Sequence, residues 1–136
     1  MCVEGCGYND EIMETIQPLL SELRLHSEII AIILFGSVTH GKVRGDSDID
    51  ISIVTRSNVP DSTRMELLSY GSDKIDIHLF LDLPLTIRMR VIREGELLFC
   101  SDLLSFHRIK IDTVRQYLDF SPFIRRHSLH AMGINQ

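Results

Sequence analysis

The stretch that decides the fold runs from Ile29 to Val54 and reads IIAIILFGSVTHGKVRGDSDIDISIV. It opens with a continuous apolar run, Ile29–Phe35, whose length and branched residues predict a buried central strand. It closes with Asp48–Val54, in which polar and apolar residues alternate from Asp48 to Ile53. Side chains point alternately to the two faces of a strand, so Asp48 and Asp50 share one face and the isoleucines the other. Two strands joined through the turn at Gly36 are therefore predicted.

A second amphipathic strand is predicted at Lys74–Phe80, which reads KIDIHLF. If the two amphipathic strands are neighbours, Asp76 stands beside Asp48 and Asp50, since adjacent strands lie about 4.8 Å apart. Three carboxylates on one open sheet face repel one another unless a divalent cation, which takes hard oxygen ligands, lies between them. These three aspartates are therefore the candidate metal ligands. His78 shares the face of Asp76 and either approaches that site or is an ordinary polar strand residue.

Helices and strands alternate along the chain, which predicts an α/β (α+β) fold with a mixed β-sheet flanked by helices mainly on one face. The chain is expected to form one domain over residues 1–136, with residues 1–9 as a flexible tail. A first helix, capped by Asn9 or Asp10, carries apolar residues at helical spacing up to Leu23, and Pro18 is expected to kink or break it. Two further helices are predicted at Pro60–Tyr70 and Pro84–Glu94, and an edge strand at Leu97–Phe99. A last helix, Asp102–Phe120, is expected to stop near Pro122, within a C-terminal helical region at 102–126.

Composition excludes several classes of protein. Hydrophobic residues make up 44% and charged residues 24%, which is ordinary globular usage. The longest apolar run is far shorter than the ~20 residues that cross a bilayer, and the acidic N-terminus is not a secretory signal, so we expect a cytoplasmic protein. The three cysteines lack the spacing of a disulfide framework or a zinc site. A net charge of -5 argues against strong nucleic-acid binding, although residues 88–136 carry 8 basic and 5 acidic side chains.

The turn after the first strand points to a phosphate ligand. Glycine lets the backbone approach a phosphate closely. The backbone amides that follow Gly36, together with the hydroxyl of Ser37, can bind the phosphate oxygens. A Gly-Ser pair alone is more often a plain turn. Here, however, ten residues separate it from Asp48-Ile49-Asp50. The string GSVTHGKVRGDSDIDI resembles the signature of the nucleotidyltransferase superfamily that includes DNA polymerase beta. It is most similar to the minimal nucleotidyltransferase (MNT) domains, and IREGELLF and YLDFSP further along add to the resemblance.

The resemblance implies a role for each motif residue. Gly36 and Ser37 would bind the triphosphate of ATP or another nucleoside triphosphate. Asp48 and Asp50 would bind two magnesium ions, and Asp76 would bind one of them and help deprotonate the attacking hydroxyl. Lys42 is expected to contact the phosphates as well, although it could equally decorate the loop. The arginines of the basic stretch, Arg88, Arg90 and Arg93, are expected on a solvated or partner-facing surface rather than in the catalytic group.

Minimal nucleotidyltransferases commonly pair with small helical HEPN proteins, which are ribonuclease toxins, and act as their antitoxins. The resemblance therefore implies transfer of AMP from ATP to a tyrosine hydroxyl of such a partner. The basic C-terminal third, with Phe106, Phe120 and Phe123, is the expected partner surface. A noncatalytic antitoxin that neutralises its partner by binding alone is an alternative, as is a small-molecule nucleotidyltransferase, which the short chain disfavours. A homo-oligomer is compatible with either.

Overall fold

The computed structural model describes residues 10–36, 49–57 and 59–131. Within them the chain forms four helices, four strands and a short 3-10 helix. Their bounds are α1 Asp10–Leu23, β1 Ile29–Phe35, β2 Ile49–Thr55, α2 Asp61–Leu68, β3 Ile75–Leu79, the 3-10 helix Phe80–Asp82, α3 Leu85–Glu94, β4 Glu96–Cys100 and α4 Leu103–Ala131. Each of these elements but the 3-10 helix coincides with a predicted one. The predicted N-terminal tail lies outside the described residues.

The four strands form one mixed sheet in the order β3-β2-β1-β4. Strand β1 is antiparallel to both of its neighbours, β2 and β4. Strands β2 and β3 are parallel, as expected for strands joined through a helix, here α2. The predicted mixed sheet and α/β class are confirmed, and so is the expectation that the two amphipathic strands are neighbours. Strand β4 lies at a sheet edge, where the sequence placed it.

Apolar residues cover β1 on both sides, because every residue from Ile29 to Leu34 is buried. One cluster joins Ile32 and Leu34 to α1 and α2. The other joins Ile33 to Val91 of α3 and to Phe106 of α4 on the opposite face. The helices are thus divided between the two faces, where the sequence had suggested mainly one. The reason is physical: a strand that is apolar on both faces leaves apolar area exposed to water unless both are covered.

Two prolines fail to end their helices. Helix α1 runs through Pro18 to Leu23, and it buries Leu19, Leu20 and Leu23 beyond the proline. Burial of each leucine contributes ~1.5–3 kcal/mol, which together exceeds the ~3 kcal/mol cost of one internal proline. The prediction that the last helix stops near Pro122 was wrong, because α4 continues to Ala131. Extending an established helix is far easier than starting one. Of the helices in the described ranges, none is long and apolar enough to cross a bilayer.

Helix α4 begins at a side-chain cap. Asp102 Oδ1 accepts the backbone N–H of Ser105 at 3.1 Å, and its Oδ2 accepts the Ser105 hydroxyl at 2.7 Å. Arg56, which follows β2, lies 3.5 Å from the same carboxylate. The hydrogen bonds from Ser105 are the main reason why the pKa of Asp102 is lowered from its ordinary value, and Arg56 adds to the effect. The cap satisfies donors at the helix start and ties α4 to the end of β2.

Replacing Asp102 by Ala should lower Tm at neutral pH, because the first turn of α4 loses its acceptor. A lowered folded-state pKa stabilises the fold above the unfolded-state value of about 4, and that contribution is lost as the pH falls through the folded-state pKa. The Tm gap between the native chain and Asp102→Ala should therefore narrow below about pH 4. Thermal unfolding followed by circular dichroism at several pH values measures both effects. Asp112→Ala, at an exposed position within α4, is the matched control and should change Tm little; equal losses would contradict the capping role.

Candidate active site

Asp50 and Asp76 are directly opposite one another in the sheet. They are register partners in the parallel β2–β3 pair, so their side chains project from the same face. One oxygen of each carboxylate and one ring nitrogen of His78 all lie within 4.8 Å of one another. Asp50 is partly buried, whereas Asp76 is exposed. The two strands thus bring together two of the three predicted metal ligands on one part of the sheet.

Gly36 brings the turn after β1 against this cluster. Its φ is +89°, a backbone conformation that residues with a side chain rarely adopt. A Cβ atom at this position would overlap Asp50 Oδ2. The register pairs Phe35 with Asp50, which explains why the next residue meets that carboxylate. Glycine is therefore required at position 36 for two reasons, the backbone conformation and the close approach of the Asp50 side chain.

His78 is the residue whose role the sequence left open. Its Nε2 lies 3.4 Å from Asp50 Oδ1, and its ring meets the ring of Phe35 edge-on at 5.5 Å between centroids. The side chain is only 34% exposed, and that of Asp50 is 28% exposed. The signal in the sequence was the shared face of Asp76 and His78. The inclination of the imidazole towards Asp50 is a rotamer, which alternation does not predict.

A buried hydroxyl lies beside the cluster. Ser52 is two residues from Asp50 on the same face of β2, and it is the register partner of His78. It is fully buried, and its Oγ has no hydrogen-bond partner among the residues that the structure describes. An unsatisfied buried hydroxyl costs ~1–3 kcal/mol, so such atoms in native proteins call for an explanation such as a bound water or ion nearby. Further along this face of β2, Ser52 and Val54 are buried, whereas Asp50 is partly buried and its register partner Asp76 is exposed.

The donor set fits a divalent cation. Two carboxylates supply hard oxygen ligands, and an imidazole nitrogen stands at hydrogen-bonding distance from one of them. Three residues of the predicted site, Asp48, Ser37 and Lys42, lie outside the described residues. Asp48 directly precedes β2, and Ser37 directly follows the glycine of the turn. Within the described residues, the site consists of Gly36, Asp50, Asp76 and His78.

The arginines of α3 lie elsewhere. Arg88 Nε donates to the carbonyl oxygen of Leu83 at 3.0 Å, and its side chain helps to line a cavity of about 590 Å³. Arg56 and Thr55, at the end of β2 remote from Asp50, line the same cavity. Arg90 and Arg93 are exposed on the helix. Arg90 and Arg93 thus lie on a solvated surface, as the sequence predicted, whereas Arg88 is partly buried. A role of this stretch in binding a partner stays a prediction.

The paired aspartates beside a glycine turn are compatible with a nucleotidyltransferase, and comparison with known proteins gives the family. Residues 14–103 match the polymerase beta nucleotidyltransferase family. The match spans more than half of the chain and includes β1, β2 and β3. The chain therefore belongs to this family.

Individual relatives agree with this assignment. One relative is a Methanocaldococcus jannaschii protein provisionally named a protein adenylyltransferase. The two chains are 32% identical over 107 residues, which cover 78% of this chain and 84% of the relative. It is similar in fold to a chain of a solved toxin–antitoxin structure with AMP-PNP, with a TM-score of 0.68, 20% identity, and coverage of 88% of this chain and 97% of that one. A chain of the complex of tri-AMPylated Shewanella oneidensis HEPN toxin with MNT antitoxin gives a TM-score of 0.64 at 18% identity, over 90% and 98% of the two chains.

Gly36→Ala should destabilise the chain by at least about 1 kcal/mol, because a side chain in the left-handed region costs roughly 1–2 kcal/mol before any overlap. The overlap with Asp50 adds to this cost. Urea unfolding measures the loss. Gly71→Ala is the control, since the backbone there has no positive φ and an added Cβ meets its nearest atom at 3.3 Å. Equal losses at the two positions would refute the special requirement at Gly36.

Proposed function

We propose that the chain is a cytoplasmic, magnesium-dependent nucleotidyltransferase that transfers AMP from ATP to a hydroxyl, a tyrosine of a small helical HEPN-type partner, and thereby acts as an antitoxin. The observation that carries the proposal is the pairing of Asp50 with Asp76 next to Gly36. Here the proposed phosphate-binding turn adjoins the pair of carboxylates. The M. jannaschii relative, whose name describes a protein adenylyltransferase, supports transfer to a protein.

Each site residue has a proposed role. Gly36, Ser37 and Lys42 hold the triphosphate, because backbone amides, a hydroxyl and an ammonium group suit its oxygens. Asp48, Asp50 and Asp76 would hold magnesium, which when bound supplies positive charge against the phosphate oxygens. These residues position the α-phosphorus and the acceptor hydroxyl in line, which is the main requirement of such transfers.

The proposed reaction exchanges one bond at the α-phosphorus of ATP for another. The acceptor oxygen forms a bond to the α-phosphorus of ATP, and its proton passes to the Asp76 carboxylate as general base. The bond between the α-phosphorus and the bridging oxygen breaks. Pyrophosphate leaves with the electron pair of that bond, and AMP remains on the acceptor.

A protein acceptor is supported by the surface of α4. Three exposed apolar residues, Leu104, Ile111 and Leu118, are spaced seven apart along the helix. We call them the α4 stripe. This spacing places them on one side of a helix, as in the seams by which helices pair. Single exposed apolar residues are common on protein surfaces, but a row of three on one helix is typical of a contact surface.

A groove beside the stripe indicates what kind of partner would bind. It has a volume of about 450 Å³ and is lined by Ile111, Leu118, Val114 and Ile92, with Lys110 and Arg115 as its charged residues. A partner helix that places apolar residues in this groove and acidic residues along its rim would match it. Among the aromatic residues expected on this surface, Phe120 is exposed, Phe106 is buried in the core, and Phe123 lies outside the described side chains. Solved structures described as a toxin–antitoxin with AMP-PNP and as a HEPN toxin in complex with MNT antitoxin support a partner of the HEPN type.

A noncatalytic antitoxin is the second candidate, since the α4 stripe suits binding whether or not AMP is transferred. A small-molecule nucleotidyltransferase is less well supported. The name of the M. jannaschii relative, a protein adenylyltransferase, supports a protein acceptor instead. The two antitoxin candidates differ in whether the aspartates are needed for neutralisation.

Incubation of the chain with ATP, magnesium and its HEPN-type partner should add one or more AMP units to the partner, as measured by intact-protein mass spectrometry. The double variant Asp48→Ala with Asp50→Ala should abolish the gain, because it removes two of the three carboxylates. Asp61→Ala with Asp73→Ala removes two exposed acids outside the site and should leave the gain intact. If the site variant still neutralises the partner fully in cells, binding alone is the mechanism. If no partner gains mass or binds, the antitoxin role fails.

Ile111→Asp with Leu118→Asp should weaken partner binding at least ~100-fold, because buried anchor residues each contribute on the order of 1–2 kcal/mol or more to an interface. Isothermal titration calorimetry with the partner measures the change, and ATP binding should be unaltered. Met65→Asp replaces an apolar residue of α2 that is 71% exposed and serves as the control. Unchanged partner affinity in the double variant would exclude α4 as the docking surface.

A further inference from the structure

His78 is the one member of the described cluster that the family resemblance does not explain. The resemblance supplies three aspartates, whereas the structure brings an imidazole to the same place. Its Nε2 is 3.4 Å from Asp50 Oδ1, and one of its ring nitrogens lies within 4.8 Å of a carboxylate oxygen of Asp76. Neighbouring ligands of an octahedral cation with bonds of about 2.1 Å are about 3 Å apart. The nitrogen is therefore close to the position of a ligand that shares one ion with Asp50.

The surroundings hold the imidazole in this orientation. The edge-on contact with Phe35 restrains the ring from one side. A side chain that is only 34% exposed and already directed at a carboxylate needs little reordering to bind an ion.

We propose that His78 is a direct nitrogen ligand of the cation held by Asp50 and Asp76, and that it makes this site bind first-row transition cations such as Mn²⁺ more tightly than Mg²⁺. The inference rests on the proposed function, since it concerns the same metal site. Mg²⁺ is a hard ion that favours oxygen ligands and retains its waters, so an imidazole adds little to its binding. Transition cations gain from nitrogen ligands, and the carboxylates remain suited to Mn²⁺.

The preference has a consequence for the reaction at this site. Where both cations are present, the site is occupied mainly by the cation with the larger product of affinity and free concentration. A site formed by three carboxylates alone is occupied by Mg²⁺ where Mg²⁺ is the more abundant ion. The nitrogen of His78 raises the affinity for Mn²⁺, so the occupancy of the site, and with it the activity, would respond to the supply of transition metal.

The test uses the full chain with Mn²⁺ alone as the probe, followed by Mg²⁺ in competition. Electron paramagnetic resonance of free Mn²⁺ gives the affinity, and electron spin echo modulation detects a nitrogen nucleus bound to the ion. The native chain should show ¹⁴N modulation, which should change to that of ¹⁵N when its histidines are ¹⁵N-labelled. His78→Gln should remove the modulation, weaken Mn²⁺ binding at least ~10-fold and change Mg²⁺ binding by less than about 3-fold, since ligand-sphere changes commonly cost 10–100-fold in affinity.

Matched variants make the result specific. His107→Gln, on the exposed surface of α4, and His40→Gln, in the segment before β2, should both keep the ¹⁴N modulation. His78→Asp restores an oxygen donor and should shift the preference back towards Mg²⁺. Because this variant retains a donor, it tests the proposal even if His78→Gln folds poorly. Thermal unfolding without metal checks the fold of every variant.

The outcomes separate this inference from the proposed function. Modulation that persists in His78→Gln, or that disappears in His40→Gln instead, overturns the role of His78. Equal losses of Mn²⁺ and Mg²⁺ affinity overturn the selectivity. If Asp50→Asn abolishes Mn²⁺ binding while His78→Gln does not affect it, the carboxylate site stands and only the histidine inference fails. If Asp50→Asn leaves Mn²⁺ binding unchanged, the metal site of the proposed function itself is refuted.

Discussion

The register between β2 and β3 is the constraint on which the site depends. In this register Asp50 is paired with Asp76, and Ile51 with Ile77. Because side chains alternate between faces, a slip of one residue would turn Asp76 towards the apolar layer beneath α1 and α2. The buried isoleucines of β2 and β3 oppose such a slip, since it would expose them to water. The apolar face of the sheet therefore determines the position of the carboxylates on the other face.

The site is built from elements whose stability comes from elsewhere. Carboxylates placed side by side repel each other and contribute nothing favourable to folding without a counter-charge. The packed strand β1, which is covered on both faces, and the helices over it provide that stability. Gly36 then brings the turn into contact with Asp50, in a backbone conformation that only glycine adopts easily. Rigid surroundings hold an unfavourable group of charges in place, which is how binding sites for cations are commonly preorganised.

The sequence predicted those features that follow from periodicity. The faces of β2 and β3, and hence the meeting of Asp50 with Asp76, follow from strict alternation, and the buried β1 follows from its apolar run. The sequence did not predict the end of α4. The tendency of proline to end a helix is a local property, and it does not take into account that the preceding turns of α4 are already formed and can be extended past Pro122. Nor did the sequence predict the contact of His78 with Asp50, which depends on a side-chain rotamer set by packing. An apolar β1 implies that both faces of the sheet are covered. Which helices cover each face depends on tertiary packing, which the sequence pattern does not predict.

The contact between Gly36 and Asp50 also has a thermodynamic meaning. The turn that would receive a phosphate and the carboxylate that would receive a cation touch one another, so neither can shift without the other responding. Two ligands that bind at such adjoining groups are energetically linked, and the linkage is reciprocal: whatever factor one ligand applies to the affinity of the second, the second applies to the first. In this chain the coupling would pass through the contact between the backbone of Gly36 and the side chain of Asp50. The nucleotide and the metal would then behave as a joint ligand rather than as two independent ones.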